Sequence, residues 1–270
     1  MKSEFITNDI LKLIRPRKED SCKGDFGTLL TLVGSENMTG AACFAAIAAL
    51  RSGLGLMRFC GNESTLSEIR RILFEPVFVP IADISFEKST AFLCGCGIGR
   101  VYDDILEAVL TNCTLPAVLD ADCINFLSMH IDVLERMDCP KILTPHPAEM
   151  ARLIGKSISY VQSARVETAL EFATKYNCVL VLKGKNTVIA TSNGDAYINT
   201  SGSSALAKGG SGDVLAGVTA SLVAQGYEIA DAAKIAVYVH GLAGDNLEKT
   251  LGKSGVLPSD LPKEIGRILG

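Results

Sequence analysis

No apolar run in the chain is long enough to cross a bilayer. The longest, Ala41–Leu50, is half of the ~20 residues required, and Arg51 closes it. The opening segment MKSEFITNDILKLIRPRKED carries charges throughout and lacks the apolar core of a signal peptide, so a cytoplasmic protein with no membrane partner is expected. No Lys/Arg run is present that could track a phosphate backbone. With 26 basic against 30 acidic residues and a net charge of −4, nucleic acid is not an expected partner. The nine cysteines (Cys22, Cys43, Cys60, Cys94, Cys96, Cys113, Cys123, Cys139 and Cys178) are odd in number and form no CxxC pair. That argues against a zinc site or a disulfide framework and for reduced, mostly buried thiols. Repeats, low-complexity tracts and long Pro/Ser linkers are also missing, so residues 1–270 are expected to form one continuous domain.

What is present reads as α/β. The chain is 48% hydrophobic, and short β-branched runs recur at Leu29–Val33, Leu56–Cys60, Ala91–Cys94, Ala117–Asp120, Lys141–Thr144, Val179–Lys183, Thr187–Thr191 and Ala196–Asn199. Several are apolar at consecutive positions, as strands buried on both faces of a parallel sheet must be. Helix-length segments lie between and after them: Thr39–Leu50, Ser159–Tyr176, Gly212–Gln225 and Ile229–Leu247. Alternation of this kind predicts a mostly parallel central sheet with helices on both faces. The short turns at Gly184-Lys185-Asn186 and Ser192-Asn193-Gly194 predict an antiparallel flap at one sheet edge.

Several motifs could carry chemistry. Ala207-Lys208-Gly209-Gly210-Ser211-Gly212-Asp213 opens an apolar helix. Its glycines free backbone N–H groups to cradle an anion at the helix's positive end, most simply a nucleotide phosphate. Asp213 has two readings: an acid favoured by the helix dipole, or a base that takes the proton of a hydroxyl attacking a phosphoryl group. The loop lacks the GKS/T ending of a Walker A motif, and no GxGxxG follows an early strand. Lys23-Gly24-Asp25-Phe26-Gly27 leads into a strand, then Gly34-Ser35 and Thr39-Gly40-Ala41-Ala42, where small residues permit either close ligand approach or tight packing. Leu143-Thr144-Pro145-His146-Pro147-Ala148-Glu149 holds His146 beyond a strand end, and Glu149 could position a magnesium-bound water or simply start a helix. In Leu119-Asp120-Ala121-Asp122 the paired carboxylates suit magnesium or a phosphate-bound water, with helix capping by Asp122 as the competing use. Cys94-Gly95-Cys96-Gly97-Ile98-Gly99 and Lys183-Gly184-Lys185-Asn186-Thr187 could each approach a ligand, or serve as an ordinary turn. His130 and His240 are given structural roles.

In this order KGDFG, GSENMTGAA, AALRSGLGL, LDAD, LTPHPAE, VLKGKNT, ALAKGGSGDVLAG and AVYVHGLAGD resemble the ADP- or ATP-dependent NAD(P)H-hydrate dehydratases, a branch of the ribokinase-like superfamily. The resemblance runs from Lys23 to about Asp245. It implies a three-layer ribokinase-like fold and a repair lyase that returns the S-epimer of hydrated NADH or NADPH to NADH or NADPH. ADP, or less favourably ATP, would be consumed with Mg2+. By the same resemblance Ala41, Gly97, His146 and Asp213 contact the hydrated dinucleotide, with Asp213 as the catalytic base. Lys183, Gly184, Lys185, Asn186, Thr187 and Gly212 hold the nucleotide, and the assembly is a homotetramer; the motif's own reading adds Glu149 as the residue expected to meet the metal, through a water. The chain departs from the family pattern at Ser211 (usually Thr), Ala148 (usually Gly) and Cys96 (usually Pro). A fused epimerase domain, which many members carry, is not expected, since only about 20 residues precede the match. A vitamin-precursor or sugar kinase of the same superfamily is the alternative enzyme, and a nucleotide-sensing protein without turnover is the alternative class.

Overall fold

Apolar residues at consecutive positions face both sides of a strand, so each such strand needs a layer of helices above and below it. The computed structural model, which describes residues 3–270, has this form. Ten strands make one sheet: β1 (Ser3–Ile6), β2 (Thr28–Leu32), β3 (Leu56–Gly61), β4 (Val77–Pro80), β5 (Ala91–Cys94), β6 (Ala117–Leu119), β7 (Lys141–Leu143), β8 (Val179–Leu182), β9 (Val188–Ala190) and β10 (Ala196–Asn199). Their order across the sheet is β1-β10-β9-β8-β7-β6-β5-β2-β3-β4. Only β9 runs against the rest, pairing antiparallel with both β8 and β10.

The helices are α1 (Thr39–Arg51), α2 (Glu63–Ile69), α3 (Asp103–Thr111), α4 (Asp122–Met129), α5 (Ile131–Arg136), α6 (Pro147–Ile154), α7 (Ile158–Ser163), α8 (Arg165–Lys175), α9 (Ser211–Ala224), α10 (Ile229–Leu251) and α11 (Leu261–Leu269). One core joins α1, α2, α9, α10 and α11 to Leu29, Phe59, Leu93 and Val181. The other joins α3 to α8 to Leu30, Phe92, Leu119 and Leu182. The split follows the two-residue period of the strands.

On the first face α1 and α9 lie side by side and parallel. Phe44 packs on Gly210 at the start of α9, and Gln225 just past its end donates to the carbonyl of Ser52 just past α1, at 2.9 Å. Midway, a Cβ on Gly217 would sit 2.1 Å from the Ala45 carbonyl oxygen, so glycine is what allows backbone to meet backbone there. Both helix N-termini therefore reach the same edge of the sheet.

Two expectations change. The antiparallel flap is present, but β10 is not the edge, because β1 adds to it in parallel from Ser3↔Ala196 to Ile6↔Asn199. The far edge, β4, ends in Pro80 and carried no clear sequence signal. The helix expected over Ser159–Tyr176 is two helices broken at Ala164 (φ −139°, ψ 51°). The Ser163 hydroxyl donates to the Tyr160 carbonyl at 2.9 Å, and the break lets Arg165 donate to the carbonyls of Leu182 and Lys183 at 2.9 and 3.4 Å. All nine cysteines are free and eight are buried. Among the described residues no helix is long and apolar enough to cross a membrane.

Candidate active site

From β2 the chain winds outward through β3 and β4, whereas β5 to β8 wind the other way, so the topological switch falls between β2 and β5. Ligands of open parallel sheets bind beyond the carboxyl ends of strands at such a point. There the loops after β2 and β5 are stitched together: Gly34 N–H donates to the Cys96 carbonyl at 2.7 Å and Ser35 Oγ to the Gly97 carbonyl at 2.9 Å. Gly97 has φ +67°, and a Cβ on it would lie 2.7 Å from that of Ala41 in the first turn of α1. The structure thus brings Ala41 and Gly97 into one small-residue surface.

Beyond β6 the two carboxylates of the LDAD motif part company. Asp122 accepts from Gly99 N–H at 2.8 Å and from Asn125 at 3.3 Å, holding the glycine turn rather than capping α4. Asp120 turns into the sheet edge, where Oδ1 accepts from Thr144 at 2.6 Å and from Lys183 at 2.7 Å. Between them Ala121 has φ 49° and ψ −113°, a conformation that costs a non-glycine residue about 1–3 kcal/mol and persists because both neighbours are anchored. The pair therefore does not converge on one ion.

Lys183, at the end of β8, joins the separate motifs. Its ammonium touches Asp120, lies 3.9 Å from Glu149 Oε2, and is 3.4 Å from where a Gly212 Cβ would be. Burial opposes its charge, but Asp120 and Glu149 outweigh that and raise its pKa. Burial pushes the Glu149 carboxyl up, against the pull of Lys183. His146 caps α6: its ring Nδ1 accepts from the N–H groups of Ala148 and Glu149 at 3.1 and 3.2 Å, and its backbone N–H donates to Glu149 Oε2 at 2.7 Å. With Nδ1 an acceptor, the proton belongs on Nε2, 3.3 Å from Glu149 Oε1. Burial, then Lys183 and Arg152, lowers the imidazole pKa and keeps the ring neutral.

The positive end of α9 completes the site. Asp213 stands in its first turn, and one of its carboxylate oxygens, the Cys96 thiol sulfur and an Asp120 carboxylate oxygen all lie within 4.8 Å of one another. Burial first, then the charge of Asp120, pushes the Asp213 carboxyl up to about 7, against the attraction of Lys183. Ser211 Oγ lies 3.2 Å from Nε2 of buried His240, whose pKa burial lowers to about 4. His240 therefore braces the glycine loop as a neutral ring, a role that nothing in the spacing of a lone histidine reveals.

The Lys183–Thr187 run divides. Lys183 is drawn inward, Lys185 and Asn186 are exposed in the β8–β9 turn, and buried Thr187 donates to the Gly184 carbonyl at 2.9 Å. KGDFG is not at this edge. It forms a tight turn before β2, at the opposite end of that strand, where Asp25 accepts from Cys22 N–H at 2.7 Å. The signal for the Asp120–Lys183–Asp213 cluster was present as a charged residue at each strand or helix end, but not its convergence.

A mostly parallel sheet, a glycine loop opening a helix, and a buried acid beside it define a nucleotide-using enzyme of ribokinase-like fold. The family model of NAD(P)H-hydrate dehydratases matches residues 29–267, and the chain belongs to that family. It is 37% identical to the ADP-dependent (S)-NAD(P)H-hydrate dehydratase of Neisseria meningitidis, over 92% of this chain and 87% of that protein. Among solved structures it is similar to the ADP/ATP-dependent NAD(P)H-hydrate dehydratase of Bacillus subtilis, co-crystallised with ATP and Mg2+ (TM-score 0.89, 32% identity, 99% and 98% of the two chains). A ribokinase-like superfamily protein of Enterococcus faecalis superposes with a TM-score of 0.87 at 27% identity, over 99% and 95% of the chains. The chain spans about half the length of the bifunctional NAD(P)H-hydrate repair enzymes that it also matches.

Proposed function

We propose that the protein dehydrates the S-epimer of hydrated NADH or NADPH at the expense of ADP, with ATP as the less favoured donor. The observation that carries the chemistry is Asp213, a carboxyl poised near neutrality at the helix end where a nucleotide phosphate would sit. Hydroxide is a poor leaving group and phosphate a better one. Asp213 takes the proton of the ring hydroxyl as its oxygen attacks the terminal phosphorus, and AMP leaves from ADP. The phosphorylated carbon then loses phosphate, the neighbouring carbon loses a proton, and the ring double bond returns. Ala41 and Gly97 form the surface against which the dinucleotide lies, with His146 as a neutral hydrogen-bonding edge. Gly212 and the Lys183–Thr187 turn receive the nucleotide.

Magnesium, when bound, neutralises phosphate charge. Both Glu149 oxygens already face protein donors, so this residue would hold the ion only through a water. The reading extends to one ribokinase-like domain over residues 1–270, a cytoplasmic location and a homotetramer. Hydrated NADH supplied with ADP and Mg2+ should regain the absorbance of reduced nicotinamide with stoichiometric release of AMP and phosphate. Nucleotide consumption with a stable phosphorylated product would instead identify a small-molecule kinase.

A further inference from the structure

The mechanism above leaves one buried polar group at its centre without a task. Cys96 has no solvent exposure, and its Sγ lies 3.7 Å from Oδ2 of Asp120, the oxygen that neither Lys183 nor Thr144 occupies. Its carbonyl is pinned by Gly34 N–H at 2.7 Å, which fixes the backbone from which the thiol projects. An Asp213 carboxylate oxygen lies within 4.8 Å of both the thiol sulfur and an Asp120 oxygen.

We propose that Cys96 is a positioning residue for the base: its S–H, shared between Asp120 and Asp213, holds Asp213 towards the substrate hydroxyl and keeps it available to accept a proton at neutral pH. Two carboxylates this close repel when both are ionised. Lys183, 2.7 Å from Asp120 Oδ1, offsets only part of that repulsion, and the Asp213 carboxyl is still pushed up. The groups facing Asp213 are Asp120 beyond β6, Lys183 beyond β8 and Cys96 beyond β5, and Glu149 of α6 lies 3.9 Å from the Lys183 ammonium. A thiol is a weak donor, but one enclosed among carboxylates stays protonated and has no water to compete with it. Burial and the two acids push the Cys96 pKa well up, so it donates and does not act as a nucleophile.

The kinetic arm of the test rests on the dehydratase reading, and the spectroscopic arm does not. In kcat/KM against pH, Cys96→Ala should move the acid limb upward by about 0.5–1 unit. That is a loss of roughly 3–10-fold well below the limb and about 2–5-fold at pH 7, which vanishes well above it, with KM for ADP nearly unchanged. Cys96→Ser, which keeps a donor, should bring the limb back. The infrared difference between wild type and Cys96→Ala should show an S–H stretch at lower frequency than a free thiol, titrating with Asp213 and losing that titration in Asp213→Asn. An unmoved acid limb in Cys96→Ala, or a free-thiol S–H band indifferent to pH, would overturn the proposal. A wild type that does not repair hydrated NADH but shows the shifted, titrating band would sink the dehydratase reading and leave the thiol assignment standing.

Discussion

At Asp213 the demands of folding and of chemistry oppose each other. Its folded pKa of about 7 lies above the ordinary 3.8, so between those values the folded chain holds the proton more tightly than the unfolded one. Stability is therefore lost as pH rises through this window, and the penalty is complete above about 7. Asp213→Asn removes the penalty. Denaturant unfolding of the free enzyme should show the variant more stable by about 1–3 kcal/mol at mildly alkaline pH, with the gain absent near pH 4. The same variant should lose turnover by roughly 10²–10⁴ while binding nucleotide within a few-fold of wild type, as expected of a lost base. Wild-type kcat/KM should rise with pH along an acid limb near 7. A variant with near-full turnover would return Asp213 to the role of a helix-start acid.

Among the elements, the α1–α9 pair carries both the site and much of the first core. Gly217→Ala places a methyl group against the Ala45 carbonyl oxygen. Overpacking of about 1–3 kcal/mol should prevail over the better helix propensity of alanine, lowering Tm by roughly 3–10 °C. Because the shift spreads to both helix N-termini, KM for nucleotide should rise as well, and calorimetry with initial-rate kinetics would show both effects. Ala91–Cys94 and Ala196–Asn199 were legible as strands to the residue, the first because a strand buried on both faces leaves no polar alternation to misread. Ser3–Ile6 was not, because an edge strand with three exposed residues lacks that signature. Nor was the break at Ala164, which depends on Arg165 reaching carbonyls of β8, a contact between distant segments. The site followed the same rule. Each motif could be read alone, but the meeting of Cys96, Asp120, Lys183 and Asp213 is made by strand order.

For the whole molecule, the sheet edge at β4 bears on assembly. Phe74 is 84% exposed, Val77 58% and Ile72 51%, apolar residues at and just before a strand paired on one side only. The proposed homotetramer would bury this surface: light scattering should give a mass near four times 28.6 kDa, falling to a smaller species in Phe74→Asp. A wild-type mass of a single chain would refute it. The strained turn at Ala121 bears on how the protein could be improved. Glycine tolerates that backbone, so Ala121→Gly is a change that selection for heat resistance alone would reward. The relaxed turn would then let Asp120 wander from Lys183, and the hardier catalyst would be the slower one. Directed evolution of this scaffold therefore has to score turnover and melting together, or it will trade away the geometry it set out to preserve.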